Sequence, residues 1–288
     1  MTIELTQNSY GKSAVRFGKL TRHANYHDFK EIHVNIQLEG DFTTVYTEGS
    51  NIVVLPTDTM KNTIFILAKQ HAIETIEDFG LHVTQYFLEN NPQIEQVTVD
   101  LQQIRWERMS LDGSPQPFTY IGGGNETATA KIVQNRSTAA AKASSGISAM
   151  RVLKTTNSAF EGYIVDKYTT LPPAADRILA TELTAVWQYA QTSESIDFQQ
   201  VRNDVRRNLL AKFAEHHSHS VQHTLYVVGE AILENVAAVS DIHFEMPNLH
   251  YIPFNLKPFG LENDNDIFTA SGDAFGLISG TVRHIELF

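Results

Sequence analysis

The sequence predicts an α+β fold made of two tandem units, each an antiparallel β-sheet with helices on one face. Three observations lead to this prediction. Apolar and polar residues alternate in strand-like runs in both halves of the chain, and apolar residues three and four apart predict helices between those runs. A stretch of the first half also recurs in the second half. The 288 residues are enough for two modest domains.

The first half predicts strands, a helix and a further strand. A strand with one buried face is expected over residues 31–38, and a turn at 39–41 predicts a hairpin whose second arm runs to residue 49. A helix is expected over residues 76–87 and a strand over 94–103, whereas the glycine-rich stretch 120–126 predicts a flexible loop. The apolar positions behind these predictions are Ile32, Val34, Ile36, Leu38, Ile76, Phe79, Val83, Phe87, Val97, Val99 and Leu101.

The second half repeats this plan. Residues 148–172 and 177–190 predict two long strands with a turn between them. Apolar stripes predict helices over residues 198–213 and 221–232, and a final strand is expected over 241–248.

A direct comparison of the two halves supports duplication. The segment that starts at residue 87 resembles the segment that starts at residue 232, an offset of 145 residues, about half the chain. Within it Leu88-Glu89-Asn90 matches Leu233-Glu234-Asn235. Because helix-then-strand pairs are common, a chance match is the alternative. The small, polar stretch 134–148 predicts the boundary, with a first unit over residues 1–138 and a second over 139–288. Open sheets of this kind expose their edges, which predicts oligomerisation.

The composition excludes several kinds of site and partner. The chain has no cysteine, so disulfides, thiolate zinc sites and cysteine nucleophiles are excluded. A formal net charge of −11 argues against a nucleic-acid partner, because phosphate binding needs a basic face. The sequence has no signal-peptide pattern, no apolar run near the roughly 18 residues of a membrane span and no peroxisomal Ser-Lys-Leu ending. We therefore expect a cytoplasmic protein with no membrane partner.

A polar corner separates two apolar runs between residues 51 and 69. Pro56 ends the first run, residues 52–55, which we expect to be a buried strand. Thr57 follows and is expected to be the N-cap of a helix, with the next backbone amides pointing outward. Such amides can bind an anion or a polarised carbonyl. A plain capped helix with no ligand is the alternative.

Five segments spread along the chain read "YGKSAVR", "VLPTDTMKNTIF", "LKTTNSAFEGYIVDKYTTLPPAADRIL", "HSVQHTLY" and "MPNLHY". Together they resemble the signature segments of the urate oxidase (uricase) family, in order and over nearly the whole chain. The stretches "PTDTMKNT" and "FEGYIVDKYTTL" are long and unusual in composition, which makes the match specific. The resemblance implies the tunnelling fold (T-fold), in which two tandem units per chain assemble with other subunits into an oligomeric β-barrel.

The resemblance also implies which residues bind the substrate. Phe160 would be the ring on which the flat purine stacks. Arg177 would hold the urate anion through two parallel hydrogen bonds, the geometry that suits a guanidinium. Gln222 would hold the opposite edge of the pyrimidine half, beside the backbone of Val221. Glu161 is a departure, because some relatives carry a large aromatic residue there, behind the stacking ring.

The resemblance assigns the remaining site residues to two tasks. Thr57 and Asp58 would come from a neighbouring subunit and meet the five-membered ring through their backbone amides. Lys12, Thr57 and His250 would handle protons, with Asn248 above the ring where oxygen and then water must lie. The apolar walls would be Leu171 and Ile278.

The activity implied is that of a cofactor-independent urate oxidase. Urate, O2 and water would give 5-hydroxyisourate and hydrogen peroxide, with no metal and no other cofactor. The chain would form a homotetramer with active sites at subunit interfaces. The alternative is a catalytically inactive purine- or pterin-binding T-fold protein. Such a protein would need only Arg177 and Gln222, the substrate clamp.

Four histidines stand close together in "EHHSHSVQH", namely His216, His217, His219 and His223. A metal site is one interpretation, since helical spacing places His219 and His223 on one face. No carboxylate pattern of a metal enzyme accompanies them. We favour a partly exposed helix junction that titrates with pH.

Overall fold

The structure is a computed structural model that describes residues 3–138, 140–190, 196–270, 272 and 274–285. The chain divides into two compact units, Met1–Gly146 and Ile147–Phe288. The repeat boundary expected after residue 138 stays a prediction. No helix in the described ranges is long and apolar enough to cross a membrane.

The first unit is an antiparallel sheet that packs against helices. Its elements are β1 (Tyr10–Arg22), β2 (His27–Gly40), α1 (Thr43–Glu48), α2 (Thr57–Gln70), α3 (Ile76–Asn90), β3 (Ile94–Leu111) and β4 (Ser114–Asn135). The strands lie in the order β1-β2-β3-β4, and each neighbouring pair is antiparallel. Alternate residues of β2, such as Val34 and Ile36, are fully buried and share one core with Phe79 and Phe87 of α3.

The second unit has the same plan. Its elements are β5 (Ala141–Lys154, which begins before the division), β6 (Leu179–Tyr189), α4 (Phe198–Glu215), α5 (Val221–Asn235), β7 (Val239–Leu249), β8 (Tyr251–Pro253), β9 (Phe268–Ala270) and β10 (Leu277–Arg283). Strands β6, β7 and β10 are neighbours and antiparallel, and β8 pairs with β9. Trp187 of β6, Phe244 of β7 and Ile232 of α5 are buried in one core. The predicted α+β class, the helices near residues 76, 198 and 221, and the strands near 94 and 241 are confirmed.

The predicted hairpin over residues 31–49 is wrong. Strand β2 has β1 and β3 as its antiparallel partners, and the expected second arm is helix α1. Phe42 accounts for the difference. It is fully buried, and its ring meets that of Tyr10 edge-on with centroids 4.8 Å apart. Burial of this ring directs the chain into the core instead of back along β2.

The glycine-rich stretch 120–126 is strand and not loop. Gly122 pairs with Trp106 inside the β3–β4 ladder, and the register shifts between Ile104 and Trp106. Gly124 has a φ of 81°, a left-handed value that glycine adopts without strain. The glycines therefore serve an irregular, bulged strand.

Three other stretches also differ from expectation. Residues 52–55, all of them described, form no strand, and Ile52 is 89% exposed. The polar stretch 134–148 holds the start of β5, where Ser145 is fully buried and donates a hydrogen bond to Glu77. A polar side chain can be buried when it is hydrogen-bonded, so a strand that contains one does not look buried in the hydropathy pattern of the sequence. Strand β5 ends at Lys154, so residues 155–178 form a long irregular connection.

The internal repeat is present in the structure. Helices α3 and α5 begin at residues 76 and 221 and end at 90 and 235, and strands β3 and β7 begin at 94 and 239. Each pair is 145 residues apart, the offset that the sequence comparison gave. Duplication of one helix-and-sheet unit explains this agreement.

The first strands of the two units also correspond, at an offset of 135 residues. "YGKSAVRFGK" of β1 aligns with "SGISAMRVLK" of β5. Ala14 and Ala149 both have positive φ, 58° and 55°. Lys19 Nζ donates to the carbonyls that end α2, at 2.6 and 3.3 Å, and Lys154 Nζ does the same for α4, at 3.1 and 2.5 Å. The units differ in the connection that leaves these strands, because β1 and β2 are joined by residues 23–26 alone, whereas β5 and β6 are joined by residues 155–178.

Candidate active site

The predicted site residues lie in two groups, one in each unit, and each group is described by itself. Lys12 of the first unit owes its position to a bulge in β1. It lies opposite Ile36, and the register of β1 against β2 shifts directly after it. In the bulge, Ala14 N–H donates to Asn35 Oδ1 at 2.8 Å. Because opposite residues of an antiparallel pair point to the same face, Lys12 stands on the face that buries Ile36.

Thr57 and Asp58 form the first turn of α2. Thr57 is not the N-cap, which corrects the expectation. Pro56 occupies that position, and no side-chain cap bond is formed there with the described residues. Met60 N–H donates to the Pro56 carbonyl at 3.2 Å, so the helix starts one residue earlier than predicted. Thr57 therefore presents a helix-start amide that has no acceptor within the helix.

Charges gather around this turn. Asp58 makes an ion pair with Lys61, and Asn62 Nδ2 donates to its carboxylate at 3.2 Å. The hydrogen bond from Lys61 is the largest cause that holds the pKa of Asp58 below its ordinary value, and the charge of Lys12 adds to it. Lys12 is therefore close enough to the first turn of α2 to act on it electrostatically.

Tyr10 connects the strand of Lys12 to the helix of Thr57. Leu55 N–H donates to Tyr10 Oη at 2.9 Å. Burial is the main cause that raises the pKa of the Tyr10 phenol. Since Tyr10 lies two residues before Lys12 and Leu55 two residues before Thr57, this bond fixes the two site residues relative to each other.

The second group is built on the β5–β6 connection, residues 155–178. Ala159 N–H donates to Ser218 O at 2.7 Å, and Ser218 N–H donates to Asn157 O at 2.9 Å. The hydroxyl of Ser218 lies 2.7 Å from Thr224 Oγ1 in α5. These bonds tie the connection to the segment that leads into α5.

The connection folds back on itself, so that its first limb (residues 155–160) pairs with its last limb (residues 174–178). This pairing brings Arg177 beside Phe160. Phe160 N–H donates to Ala174 O at 2.7 Å, and Ala174 N–H donates to Phe160 O at 3.0 Å. Arg177 N–H donates to Ser158 O at 2.7 Å. The guanidinium carbon of Arg177 lies 5.0 Å from the centroid of the Phe160 ring, a cation–π distance.

The guanidinium of Arg177 has a hydrogen-bond donor that is free within the part of the chain that the structure describes, and an anion could accept from it. Its Nε is buried and meets no hydrogen-bond partner among the described residues. Burial lowers the pKa of Arg177, but a guanidinium stays charged near neutral pH. A buried donor without an acceptor costs roughly 1–3 kcal/mol. A planar anion with two adjacent acceptors would satisfy this donor while lying beside the Phe160 ring.

Tyr163 is a site residue that sequence reasoning missed. Its ring stacks on Phe160, with centroids 4.9 Å apart and an interplanar angle of 18°. Its hydroxyl donates to the carbonyl of Leu171, whose side chain is 56% exposed. Tyr163 thus provides the aromatic packing that Glu161 does not. The signal was the second aromatic residue in "FEGY".

The N-terminus of α5 presents Val221 and Gln222. Ser220 caps the helix, and its side chain accepts a hydrogen bond from His223 N–H at 3.1 Å. Val221 is buried and Gln222 is exposed. Their amides are the first two of the helix, where donors lack acceptors within the helix and negative charge is favoured.

Asn248, His250 and Ile278 lie where β7 and β10 meet. Ile278 pairs with Met246, and Asn248 N–H donates to Gly276 O at 2.8 Å. Asn248 continues the alternation of the buried Met246, so it stands on the face that packs against the helices. His250 follows directly after the end of β7 and is half-buried.

The four histidines gather where α4 ends and α5 begins. Ring centroids lie 5.5 Å apart for His216 and His223, 4.9 Å for His217 and His219, and 5.2 Å for His219 and His223. Within the described ranges, no three His, Cys, Asp or Glu side chains are placed so that they could hold a metal ion. The arrangement is that of a helix junction.

Comparison with known proteins gives one consistent result. A sequence model of the Uricase family matches residues 8–133 and 143–279. The uricase of Arthrobacter globiformis is 37% identical over 281 residues, which cover 98% of this chain and 90% of that protein. The uricase of Oryctolagus cuniculus is 34% identical over 286 residues, 98% of this chain and 95% of that protein. A crystal structure of the Arthrobacter globiformis uricase matches with a TM-score of 0.93 and 35% identity, and covers 100% of this chain and 97% of that one.

His216 gives the stability of the second unit a dependence on pH. Both ring nitrogens are buried without a hydrogen-bond partner among the described residues. Burial first, and then the charges of Lys154 and His223, lower the pKa of His216 from 6.5 to about 4. As the pH falls the unfolded chain binds this proton first, so the stabilising contribution is complete above pH 6.5 and is lost between 6.5 and about 4.

We expect His216→Gln to flatten this dependence. The slope of the unfolding free energy against pH should decrease by up to about 1.4 kcal/mol per pH unit, the value of one proton. His217→Gln, at an exposed neighbour, is the control and should keep the wild-type slope. Denaturant titrations at several pH values between 4 and 6.5 measure the slopes. An unchanged slope in His216→Gln would contradict the assignment.

Proposed function

The chain belongs to the uricase family, and we propose that it is a urate oxidase that converts urate, O2 and water to 5-hydroxyisourate and hydrogen peroxide without a cofactor. The observation that carries the proposal is the Arg177 guanidinium beside the Phe160 ring, with a buried donor that meets no acceptor in the part of the chain that the structure describes. Urate is a flat anion, and this pair suits a flat anion.

The clamp is completed by the first turn of α5. Gln222 would bind the edge of the purine opposite to Arg177, with the Val221 backbone beside it. The first amides of a helix carry partial positive charge, which favours an electron-rich carbonyl or a ring nitrogen that has lost its proton. Asn248 would hold O2 and then water above the ring, and Leu171 and Ile278 would be apolar walls.

The chemical step needs a proton to leave urate and oxygen to be held close to the ring. The urate dianion is itself electron-rich enough to reduce O2. Lys12, Thr57 and His250 would take up and relay the proton, and the Thr57 and Asp58 amides would meet the five-membered ring. Fixing the reactants in this way lowers the barrier by orientation and electrostatic stabilisation.

The internal repeat supports a site shared between chains. In the first unit, Ser145 of β5 donates to Glu77 in the first turn of α3. The offset of 145 makes Gln222 the counterpart of Glu77, and the offset of 135 makes Tyr10 the counterpart of Ser145. A strand like β1 therefore belongs against the first turn of α5. Such a strand would bring Lys12 close to that turn.

We propose that this strand comes from a second copy of the chain, together with the turn of Thr57 and Asp58. Four copies would form a homotetramer with urate sites at the interfaces, and the sheets would close into a barrel. Closure of the main sheets into a barrel would remove their free strand edges.

A urate assay in air tests the function. Urate absorbance should fall while hydrogen peroxide accumulates in equal amount, and a chelator should not change the rate. Binding of urate without loss of absorbance would support the alternative, a catalytically inactive purine-binding T-fold protein. Loss of activity with the chelator would contradict cofactor independence.

Arg177→Lys should raise the KM for urate strongly. Lysine keeps the charge but loses the two-pronged hydrogen bond, so about 2–4 kcal/mol of substrate binding should go. Arg151→Lys is the matched control, since Arg151 is an exposed arginine paired with Glu182. Steady-state kinetics measure both. A KM for Arg177→Lys equal to that of the control would remove Arg177 from the site.

Lys12→Met should lower kcat by about 10²–10⁴, the usual effect of losing a group that transfers a proton. Urate affinity should change little, because the clamp lies on other residues. Lys142→Met, at an exposed lysine, is the control. The measurements are kcat in air and an oxygen-free urate titration. A Lys12→Met protein that keeps its rate would leave Thr57 and ordered water as the proton relay.

A further inference from the structure

We infer that Asp176 and Thr156 are positioning residues for Arg177, because their side chains join the two limbs of the β5–β6 connection at its base and so fix where the guanidinium stands. The inference rests on the proposed function in one respect, the assignment of Arg177 to urate. The hydrogen bonds of Asp176 with Thr156 and Ser158, which we call the brace, are seen in the structure whatever the function is.

The limb that carries Asp176 and Arg177 is held to the opposite limb at three points. Thr156 Oγ1 donates to Asp176 Oδ2 at 2.8 Å, and Ser158 N–H donates to Asp176 Oδ1 at 3.3 Å. Arg177 N–H donates to Ser158 O at 2.7 Å. The Asp176 carboxylate thus accepts hydrogen bonds from two donors of the opposite limb. Asp176 immediately precedes Arg177 in the sequence, so these bonds act on the residue next to it.

The carboxylate of Asp176 is in its charged form at neutral pH. The hydroxyl of Thr156 is the main cause that keeps its pKa below the ordinary value, and the N–H groups of Ser158 and Arg177 contribute. Hydrogen bonds to an ionised acceptor are shorter and stronger than those between neutral groups. The brace should therefore hold over the whole pH range in which the enzyme is expected to work.

Neighbouring groups and the Phe160 ring contact the guanidinium of Arg177, but no hydrogen bond within the described residues holds it. Its Nε meets no partner among the described residues. The contact with the Phe160 ring is worth roughly 0.5–1 kcal/mol. The place from which the side chain starts is the backbone at residue 177, which the three bonds hold against the opposite limb.

Asp176 and Thr156 are both exposed, so the brace adds little to global stability. Exposed polar pairs contribute at most about 1 kcal/mol. Outside its bonds to Ser218 and the Phe160–Ala174 bridge, the connection has no regular structure, and long loops of this kind populate several conformations. A displacement of about 1 Å in a binding group can lower activity by about 10²-fold. We therefore expect loss of the brace to affect substrate binding more than it affects stability.

The same connection offers a matched control. Asp166 accepts hydrogen bonds from Tyr168 N–H and Thr169 Oγ1, both at 2.9 Å. This is a carboxylate that also binds one amide and one hydroxyl, but it does so within its own turn. Asp166→Ala therefore removes the same kind of bonds without separating the two limbs.

The first test is steady-state kinetics on Thr156→Val, Thr156→Ser, Asp176→Ala and Asp166→Ala. Thr156→Val and Asp176→Ala should raise the KM for urate about fivefold to tenfold, as expected for one or two lost hydrogen bonds, while kcat stays within about twofold. Thr156→Ser keeps the hydroxyl and should restore the wild-type KM. Asp166→Ala should match the wild type. A merely structural role would lower the melting temperature without this split between KM and kcat.

The second test does not depend on urate. Phenylglyoxal modifies arginine side chains, and peptide mass spectrometry follows the rate at Arg177. The rate should increase several-fold in Thr156→Val and Asp176→Ala, and stay at the wild-type value in Thr156→Ser and Asp166→Ala. Circular dichroism confirms that each variant is folded.

The outcomes separate the two claims. A wild-type protein that does not act on urate, with the expected phenylglyoxal rates, would contradict the proposed function and leave the brace supported. Wild-type rates at Arg177 in both Thr156→Val and Asp176→Ala would overturn the brace. Equal effects in Asp166→Ala and Asp176→Ala would overturn it too, because any loosening of the connection would then suffice.

Discussion

Two backbone hydrogen bonds at Ser218, from Ala159 N–H at 2.7 Å and to Asn157 O at 2.9 Å, join the β5–β6 connection to the start of α5. They place the Phe160 ring, the Arg177 guanidinium and the first amides of α5 on one scaffold. Ordering a chain costs about 1–2 kcal/mol per residue, so a connection this long needs such an anchor. Ser218 is fully buried, which keeps water from competing for these bonds.

The repeat explains why the proposed substrate clamp would lie in only one of the two units. Both units have a lysine that binds the end of their first long helix, and both have a capped second helix, at Thr75 and at Ser220. They differ at the strand connection, which is short in the first unit and long in the second. They also differ in the residues at equivalent positions. Gln222 of α5 corresponds to Glu77 of α3, and Lys12 of β1 corresponds to Ile147 of β5. A carboxylate would repel an anion, and isoleucine cannot transfer a proton. The proposed site therefore fits one copy of the shared fold and not the other.

Much of the fold could be predicted from the sequence, because the long helices and strands β3 and β7 have regular apolar periods, and helices α3 and α5 begin at the polar caps Thr75 and Ser220. Three of the errors share one cause. Phe42, Ser145 and Gly122 each follow a tertiary demand (a buried ring, a satisfied buried hydroxyl, a bulge), which a local pattern does not reveal. The site residues came from resemblance, and their roles stay proposals. Asp176 and Thr156 were missed because they are partners across the connection, 20 residues apart in sequence, whereas Tyr163 lies close to Phe160 in sequence and could have been noticed.

The central claim is that the site needs two chains, one giving Lys12 and Thr57 and the other giving Arg177. Mixing inactive Thr57→Ala and Arg177→Ala proteins under conditions of subunit exchange tests it most directly. If sites are shared, about a quarter of them should have both halves intact by random pairing of chains, and urate oxidation should return to about that share of the wild-type rate. Hybrid oligomers seen by native mass spectrometry, with no recovery of activity, would contradict the account.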